Sequence, residues 1–213
     1  MCGRYVCYTQ TEDDVEEELG LAKGSLKMAA GDVRPTDSPV VLTGGRAESG
    51  ARSYSDAIAE TGAVAAGAGT RDIRITNMPW GLKEKSLIIN ARAETALEKP
   101  TFGDSILRRR CIMPAGAFYE WDKDKNKVTF FRQDESPIYL AGFYQLSDNK
   151  DSFVILTTAA NESMIKVHDR MPLMIEKDAV RDWLNDSDVA KEILKAPMPQ
   201  LKSRREYEQL SLF

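Results

Sequence analysis

Short runs rich in apolar residues fill much of the second half of the chain, a pattern that is typical of strands. These runs cover residues 111–113, 117–121, 128–132, 138–145 and 153–158. Polar turns such as 122–127 and 147–151 separate them, at the spacing expected of an antiparallel meander. A further strand is predicted over 171–175. The pattern therefore predicts that this half of the chain is mainly an antiparallel sheet.

The first half of the chain mixes short strands with one clear helix signal. We predict that a helix begins at Thr11, because acidic residues fill its first turn and complement the helix dipole, and that it ends at Gly20. Residues 32–36 are predicted to be a loop, because Pro35 disfavours helical backbone at the residue before it. In the opening strand, alternation places Cys2, Arg4 and Val6 on one face and Gly3, Tyr5 and Cys7 on the other.

The remaining predicted elements are short. Strands are expected over 39–43, from Ile73 towards Trp80 and over 86–90, helical turns over 93–99, 104–109, 162–167, 178–184 and 189–195, and a loop or weak strand over 62–69. The pattern predicts the α+β class. We expect a single domain over residues 1–208, built on a curled, barrel-like and mainly antiparallel sheet with peripheral helices, followed by a tail at 209–213.

Composition narrows the class of protein. The 213 residues are 42% hydrophobic and 29% charged, which suits one domain with a real core. The apolar runs are too short for a membrane span, and no signal-peptide pattern opens the chain, so we expect a cytoplasmic protein. The three cysteines, Cys2, Cys7 and Cys111, lack a disulfide-rich spacing, which also suits a reducing compartment.

The charge of the chain only weakly indicates which partner it binds. The net charge of −4 and the pI of 5.3 argue against a protein that coats nucleic acid non-specifically. Residues 71–133 nevertheless hold thirteen Lys or Arg against eight Asp or Glu. A basic face on an acidic body is one interpretation of this bias, and chance on a solvated surface is the other.

Cys2 carries the most distinctive chemistry, because removal of Met1 would leave an α-amine and a thiol on the same residue. The α-amine has a pKa of about 8, so part of it is uncharged and nucleophilic near neutral pH. It can form an imine with an aldehyde. The thiol, with a pKa of about 8.5, can then add to the same carbon and close a thiazolidine ring. The alternative is that Cys2 merely starts a strand.

Other polar residues lie where functional groups are common. Glu120 shares a strand face with Phe118, where a carboxylate is costly to bury unless it is paired or catalytic, and the alternative is an exposed strand glutamate. His168 is the single histidine, and a structural role is its alternative. Asn90 and Arg92 follow an apolar strand, so they are either functional groups at its exit or a helix cap beside a surface arginine.

The sequence argues against metal and nucleotide sites. The cysteines and the histidine lack the short spacing of a structural zinc site, so we expect no metal. The glycines follow neither a phosphate-loop nor a dinucleotide pattern, so we expect no cofactor.

Five motifs follow one another along the chain: Met1-Cys2-Gly3-Arg4-Tyr5, Trp80-Gly81-Leu82, Asn90-Ala91-Arg92-Ala93-Glu94-Thr95, Phe118-Tyr119-Glu120-Trp121 and His168-Asp169-Arg170-Met171-Pro172. In order and spacing they resemble the motifs of the SOS-response-associated peptidase (SRAP) family, and they cover nearly the whole chain. The resemblance implies a single α+β domain that binds single-stranded DNA in the response to DNA damage. It also implies that the N-terminal cysteine is joined covalently to abasic sites, whose open sugar is an aldehyde.

The resemblance implies a role for each matching residue. The catalytic roles are Cys2 as nucleophile, Asn90 as the residue that helps hold it, Glu120 as the acid/base of sugar ring opening, and His168 as the residue that attends the imine and its reversal. Pro35 would lie in a loop beside the flipped-out lesion. Arg4, Arg92 and Arg170 would contact phosphates, which a guanidinium matches in a bidentate manner.

The chain departs from the family after Trp80-Gly81-Leu82. Many members carry a longer segment there, with further tryptophans that stack on DNA bases, whereas here Lys83-Glu84-Lys85-Ser86 leads directly to the next strand. We therefore expect base stacking to be weaker or to be supplied elsewhere.

Two other functions stay open on the sequence alone. The first is a cysteine peptidase, in which Cys2, His168 and Glu120 act on peptide bonds and removal of Met1 is the fitting reaction. The second is a non-catalytic DNA-binding module.

The last five residues, Gln209, Leu210, Ser211, Leu212 and Phe213, resemble the pentapeptide by which many bacterial repair and replication proteins bind the sliding clamp of the replicase. Their apolar side chains could fill an apolar groove of the clamp while Gln209 forms hydrogen bonds at its edge. The alternative is that they fold back on the core of the protein. Clamp binding would bring a cytoplasmic protein to the nucleoid.

Overall fold

The computed structural model of the protein describes residues 2–45, 73–148 and 150–206. The predicted loop at 62–69 and the tail at 209–213 lie outside these described residues. No helix in the described ranges is long and apolar enough to cross a membrane.

Strands form most of the regular structure that the described residues contain. In chain order they are β1 (Tyr5–Cys7), β2 (Gly31–Val33), β3 (Val40–Gly44), β4 (Ile73–Asn77), β5 (Leu82–Lys83), β6 (Leu87–Ile88), β7 (Asn90–Arg92), β8 (Arg110–Ala115), β9 (Ala117–Trp121), β10 (Lys127–Arg132), β11 (Ile138–Gln145), β12 (Ser152–Ala159), β13 (Arg170–Pro172), β14 (Met174–Ile175) and β15 (Leu201–Glu206). The helices are α1 (Thr11–Leu19), α2 (Ala93–Ala96), α3 (Gly103–Arg108), α4 (Val180–Asn185) and α5 (Ser187–Ile193), with a 3₁₀ turn at Lys177–Ala179.

Two sheets form the frame of the fold. The five-stranded sheet has the order β15-β10-β9-β1-β2. The larger sheet has the order β13-β12-β11-β8-β3-β4, with β14 paired to β11 and β7 paired to β12. Among the described strands, the pairing of β7 with β12 is parallel and the others are antiparallel. The mixed α+β class with mainly antiparallel sheets is confirmed.

The larger sheet is the middle layer, because alternation along its strands sends side chains into two separate cores. On β11, Tyr139 and Phe143 lie in the core that the helices cover, together with Trp183 of α4. Leu140 lies in the second core, with Tyr5 and Phe118 of the five-stranded sheet. This second core, called the inter-sheet core below, is the one that positions the candidate site.

The meander prediction is wrong in its pairing. The hairpins β9–β10 and β11–β12 form as expected, but β10 and β11 belong to different sheets, and β11 pairs with β8 instead. The barrel-like curl is not confirmed, since the described strands form two sheets and a small β5–β6 ribbon and no closed barrel. Alternation reveals which face of a strand is buried, whereas it contains no information about which strand lies alongside.

The helix at Thr11 is confirmed, and Gly20 ends it in the left-handed conformation with a φ of 61°. The predicted face of Cys2 is wrong. β1 begins at Tyr5, so Cys2 precedes the strand, and its side chain lies in the inter-sheet core together with Tyr5 and Cys7. The strand β15 was not predicted, because four of its six residues are charged and carry no apolar alternation.

Candidate active site

Cys2 is fully buried at the start of the chain, between the two sheets. The side-chain amide of Asn90 donates a hydrogen bond to the carbonyl oxygen of Cys2 at 2.9 Å. The thiol of Cys2 points to the carbonyl oxygen of Arg4, with a sulfur–oxygen distance of 3.9 Å. Because Asn90 opens β7, which is paired with β12, the larger sheet fixes the backbone of Cys2. The interpretation of Cys2 as the first residue of a strand does not hold.

Glu120 lies on β9 with its carboxylate turned into the protein. It is 4% exposed, and Phe118 two residues earlier is also buried, so the predicted shared face is confirmed and the alternative of an exposed glutamate is wrong. Burial, with a smaller contribution from the negative charge of Glu120, raises the pKa of the Cys2 thiol to about 12. In the chain that retains Met1, this thiol is therefore protonated at neutral pH.

His168 ends a helical turn that precedes β13. Its backbone N–H donates to the carbonyl of Met164 at 3.1 Å, and its ring Nδ1 accepts the backbone N–H of Arg170 at 2.9 Å. A ring nitrogen that accepts an N–H carries no proton, so the neutral ring holds its proton on Nε2. Nδ1 also lies 3.0 Å from a carboxylate oxygen of Asp169, which becomes its partner when the ring is protonated.

Asn90 and His168 are brought close by β12, which lies between their strands. β7 pairs with β12 on one side and β13 pairs with it on the other, and Thr157 is opposite both Arg92 and Pro172. Asn90 and His168 are almost eighty positions apart in the chain, and they lie in or just before the two strands that flank β12.

The four residues predicted to contact DNA lie in different surroundings. Arg92 is exposed at the end of β7. Arg4 lies 3.6 Å from Asp32 and stacks over the ring of Trp121 at 5.3 Å. Arg170 is bound by Glu94 in a bidentate pair, with distances of 2.6 and 2.8 Å.

Pro35, the fourth, is half-buried in a tight turn. The carbonyl of Arg34 accepts the N–H of Asp37 at 3.0 Å, and the carboxylate of Asp37 accepts the N–H of Arg34 at 2.8 Å. Thr36 has a φ of 79°, as the third residue of a type II turn requires, although a β-branched residue is strained there. The backbone of Trp80 holds the turn from both sides, at 2.8 and 2.9 Å.

Trp80 and Trp121 differ in their exposure to solvent. Trp80 is completely buried, donates its indole N–H to the carbonyl of Ile89 and packs against Phe153, so it belongs to the core. Trp121 is 38% exposed beside the buried Glu120, and Arg4 stacks on it. Sequence reasoning placed Trp121 on the face opposite Glu120 but did not identify it as a surface for a base.

Within the described residues, no group of three or more His, Cys, Asp and Glu side chains is arranged to hold a metal ion.

A family model described as SOS response associated peptidase (SRAP) matches residues 1–211. The chain belongs to this family. Among curated SRAP proteins, it is 36% identical to the abasic site processing protein YoaM of Bacillus subtilis over 129 residues, which are 55% of this chain and 57% of that protein. It is 34% identical to the abasic site processing protein YedK of Escherichia coli, over 53% of this chain and 56% of that protein. The matches thus span little more than half the length of these relatives.

Solved structures share the SRAP fold. An X-ray structure of a protein from Bordetella bronchiseptica, 20% identical, superposes with a TM-score of 0.69 over 97% of this chain and 100% of its own. A structure from Bacteroides thetaiotaomicron, 26% identical, gives a TM-score of 0.53 over 62% of this chain and 68% of its own. The likeness shows that the two-sheet frame is common to these proteins.

Proposed function

We propose that this protein captures abasic sites in single-stranded DNA by forming a covalent thiazolidine at Cys2. The observation that carries the proposal is the arrangement around this residue: its carbonyl is held by Asn90, and its thiol lies within the electrostatic field of the buried Glu120. The names of the curated relatives, which are abasic site processing proteins, support the same substrate.

The reaction needs the free α-amine of Cys2, because the nitrogen is an unreactive amide while Met1 is attached. The amine adds to the aldehyde carbon of the open abasic sugar, and loss of water gives an imine. The thiol then adds to the imine carbon and its proton goes to the nitrogen, so the net products are a thiazolidine and one water. In this proposal Glu120 protonates the departing ring oxygen when the sugar opens, and His168 exchanges protons at the imine.

Asn90 would also contact the α-amine of Cys2. Its side-chain oxygen is buried and accepts no hydrogen bond from the part of the chain that the structure describes. We propose that this oxygen accepts a hydrogen bond from the α-amine of Cys2, whose carbonyl the amide nitrogen of Asn90 already binds. An uncharged amine that donates a proton there would keep its lone pair available for the aldehyde.

The DNA strand is proposed to approach over the exposed groups beside the site. Arg4 and Arg92 would bind phosphates, and Trp121 would stack on a neighbouring base in place of the tryptophans that this chain lacks after Trp80. The Pro35 turn, which the backbone of Trp80 holds in place, would lie beside the abasic nucleotide. Arg170 stays a candidate for a phosphate contact, although a phosphate must compete with Glu94 for it.

The peptidase alternative is less well supported by the site. Self-removal of Met1 would have to occur in the chain that retains it, where the pKa of the Cys2 thiol is about 12, and the thiolate is the nucleophilic form. We infer that a separate aminopeptidase removes Met1.

The experiment that tests the proposal incubates protein without Met1 with single-stranded DNA that contains one abasic site, followed by denaturing gel electrophoresis. We expect a heat-stable adduct. Cys2→Ala should lose it and retain at most an imine that borohydride traps. An equal heat-stable adduct from Cys2→Ala would overturn the mechanism. Cleavage of unrelated peptides by the same preparation would instead support a peptidase.

We also propose that Gln209–Phe213 binds a bacterial sliding clamp. The support is the sequence of the pentapeptide, which follows β15 and lies outside the described residues. Tethering to a clamp raises the local concentration at DNA without tight DNA binding, which suits a chain with a net charge of −4.

A further inference from the structure

Basic side chains lie on the outer face of the five-stranded sheet, which is the face turned away from the inter-sheet core. At one end of this face, Arg4 stacks on Trp121, and these two residues are close in the chain to Cys2 and Glu120 of the proposed active site. Val6, Ala117 and Tyr119 form a separate small cluster on this face. On β15, Leu201 lies in the inter-sheet core. Because successive residues of a strand point to opposite faces, Lys202 and Arg204 belong to the outer face. Both are exposed.

Strand register places these groups side by side. Trp121 of β9 is opposite Lys127 of β10, and Thr129 of β10 is opposite Arg204 of β15. The ammonium group of Lys127 lies 3.9 Å above the ring of Tyr119, a cation–π contact that keeps its charge on this face.

Together these residues form a band that crosses four strands, the outer-face basic band: Arg4 on the β1 side, Trp121, Lys127, Lys202 and Arg204. Neighbouring strands lie about 4.8 Å apart, so the band extends roughly 14 Å from Arg4 to β15. Asp32 partly neutralises Arg4 at one end, at 3.6 Å. On β15, the guanidinium of Arg205 lies 3.6 Å from a carboxylate oxygen of Asp122, which partly neutralises its charge. Lys202 and Arg204 are therefore the charges of the band that extend furthest from the site.

We infer that the outer-face basic band binds the single-stranded DNA that continues away from the abasic nucleotide. The inference rests on the proposed function, because it takes the strand to enter at Cys2 and Glu120. Aligned Lys and Arg side chains with an exposed tryptophan at the end nearest the site have the composition of a surface that follows a phosphate backbone and stacks on one base. The band would also help a protein with a net negative charge to hold DNA, since it places four basic side chains together on one face.

A competing explanation is that Lys202 and Arg204 only protect the edge of the sheet. β15 is the last strand of its sheet, and charged residues on such edges discourage pairing with another molecule. Reversal of charge separates the two roles, because glutamate keeps an edge charged but repels phosphate.

The test compares Lys202→Glu/Arg204→Glu with a control, Lys177→Glu/Lys195→Glu, which changes the net charge equally among the helices on the other side of the larger sheet. Non-covalent binding is measured by fluorescence anisotropy in a Cys2→Ala background. The probes are oligonucleotides of about 5 and about 20 nucleotides that carry a tetrahydrofuran analogue of the abasic site, which has no aldehyde and so forms no imine. These lengths bracket the usual single-strand site sizes.

We expect the band variant to bind the longer oligonucleotide about tenfold more weakly, with a salt-dependence slope smaller by about 1.4, the value for two lost single-strand phosphate contacts. The affinity for the shorter oligonucleotide should fall less. The control variant should bind both oligonucleotides with an affinity within about twofold of that of the parent. An equal loss in the control, or an unchanged salt slope in the band variant, would overturn the inference. The adduct assay decides the proposed function separately, since it is read from covalent product and not from the length dependence of affinity.

Discussion

The guanidinium of Arg170 binds the carboxylate of Glu94 through two hydrogen bonds of 2.6 and 2.8 Å, and so joins two of the five motifs across β12. Arg170 also donates to the carbonyl of Thr157 at 2.6 Å, while its own backbone N–H binds the ring of His168. The pair therefore fixes the segment that carries His168 relative to the strand that carries Asn90.

Replacing Glu94 by Gln should remove the charge of this pair and destabilise the protein by about 1 kcal/mol or less, because Glu94 is largely exposed. Hydrogen bonds from Arg170 lower the pKa of Glu94 below its ordinary value of 4.5. A lowered carboxyl pKa contributes stability above the unfolded-state pKa and loses it as pH falls through the folded-state pKa. The gap in urea midpoint between parent and Glu94→Gln should be constant above about pH 5 and shrink as the pH falls below 4.5. A gap that does not change with pH in this range would mean that the pair is not its cause.

Glu120→Gln should slow crosslinking and activate the thiol at the same time. Loss of one acid/base commonly lowers the rate about 10² to 10⁴-fold, while glutamine keeps the shape of the side chain and leaves DNA binding in place. Because the charge of Glu120 raises the pKa of Cys2, its removal should lower that pKa and speed alkylation of Cys2 in protein without Met1. Rates of adduct formation and of iodoacetamide labelling should therefore move in opposite directions. If both fall together, the variant has disturbed the site and the acid/base role is unsupported.

Arg92→Ala should weaken DNA binding more than it slows crosslinking. Its side chain is exposed, so the fold should tolerate the change. The salt-dependence slope for single-stranded DNA should fall by about 0.7, the value for one phosphate contact, with the crosslinking rate at saturating DNA preserved. An unchanged slope would remove Arg92 from the DNA surface.

Gly81→Ala should destabilise the protein by about 1 to 3 kcal/mol. Gly81 has a φ of 118°, a conformation that side chains disfavour, and an added Cβ would lie 2.7 Å from Cδ1 of Leu87. Leu87 is itself 42% exposed and can move, so backbone strain is the main cause. The double variant Gly81→Ala/Leu87→Ala should consequently recover little stability in thermal denaturation. Full recovery would show that the contact with Leu87 dominates.

The sequence predicts best the short runs rich in apolar residues that polar turns bound. β9 and β11 have the predicted bounds, and the shared face of Phe118 and Glu120 follows from the period of two. These features are local, because alternation within a few residues decides them. Their positions in the sheets depend on distant strands, which explains why the pairing of β11 with β8 was missed.

The site was predicted as a set of residues and not as an arrangement. The burial of Cys2 depends on both sheets, and the Arg170–Glu94 pair joins residues 76 positions apart. Trp80 illustrates the same limit, because its packing against Tyr5 and Phe153 in the core depends on residues that are distant in the chain.

The last prediction concerns the tail. Intact protein should bind a bacterial sliding clamp with micromolar affinity in titration calorimetry, and deletion of residues 209–213 should abolish this binding. Leu210, Leu212 and Phe213 supply the apolar anchors on which the affinity of a short peptide depends, so Leu212→Ala/Phe213→Ala should lose binding as completely as the deletion, while Ser211→Ala should not. Crosslinking to abasic DNA in solution should persist in all of these variants, because Cys2 and Glu120 are untouched. A deletion that lowers the melting temperature by several degrees, with no clamp binding by the parent, would show instead that these side chains pack on the protein itself.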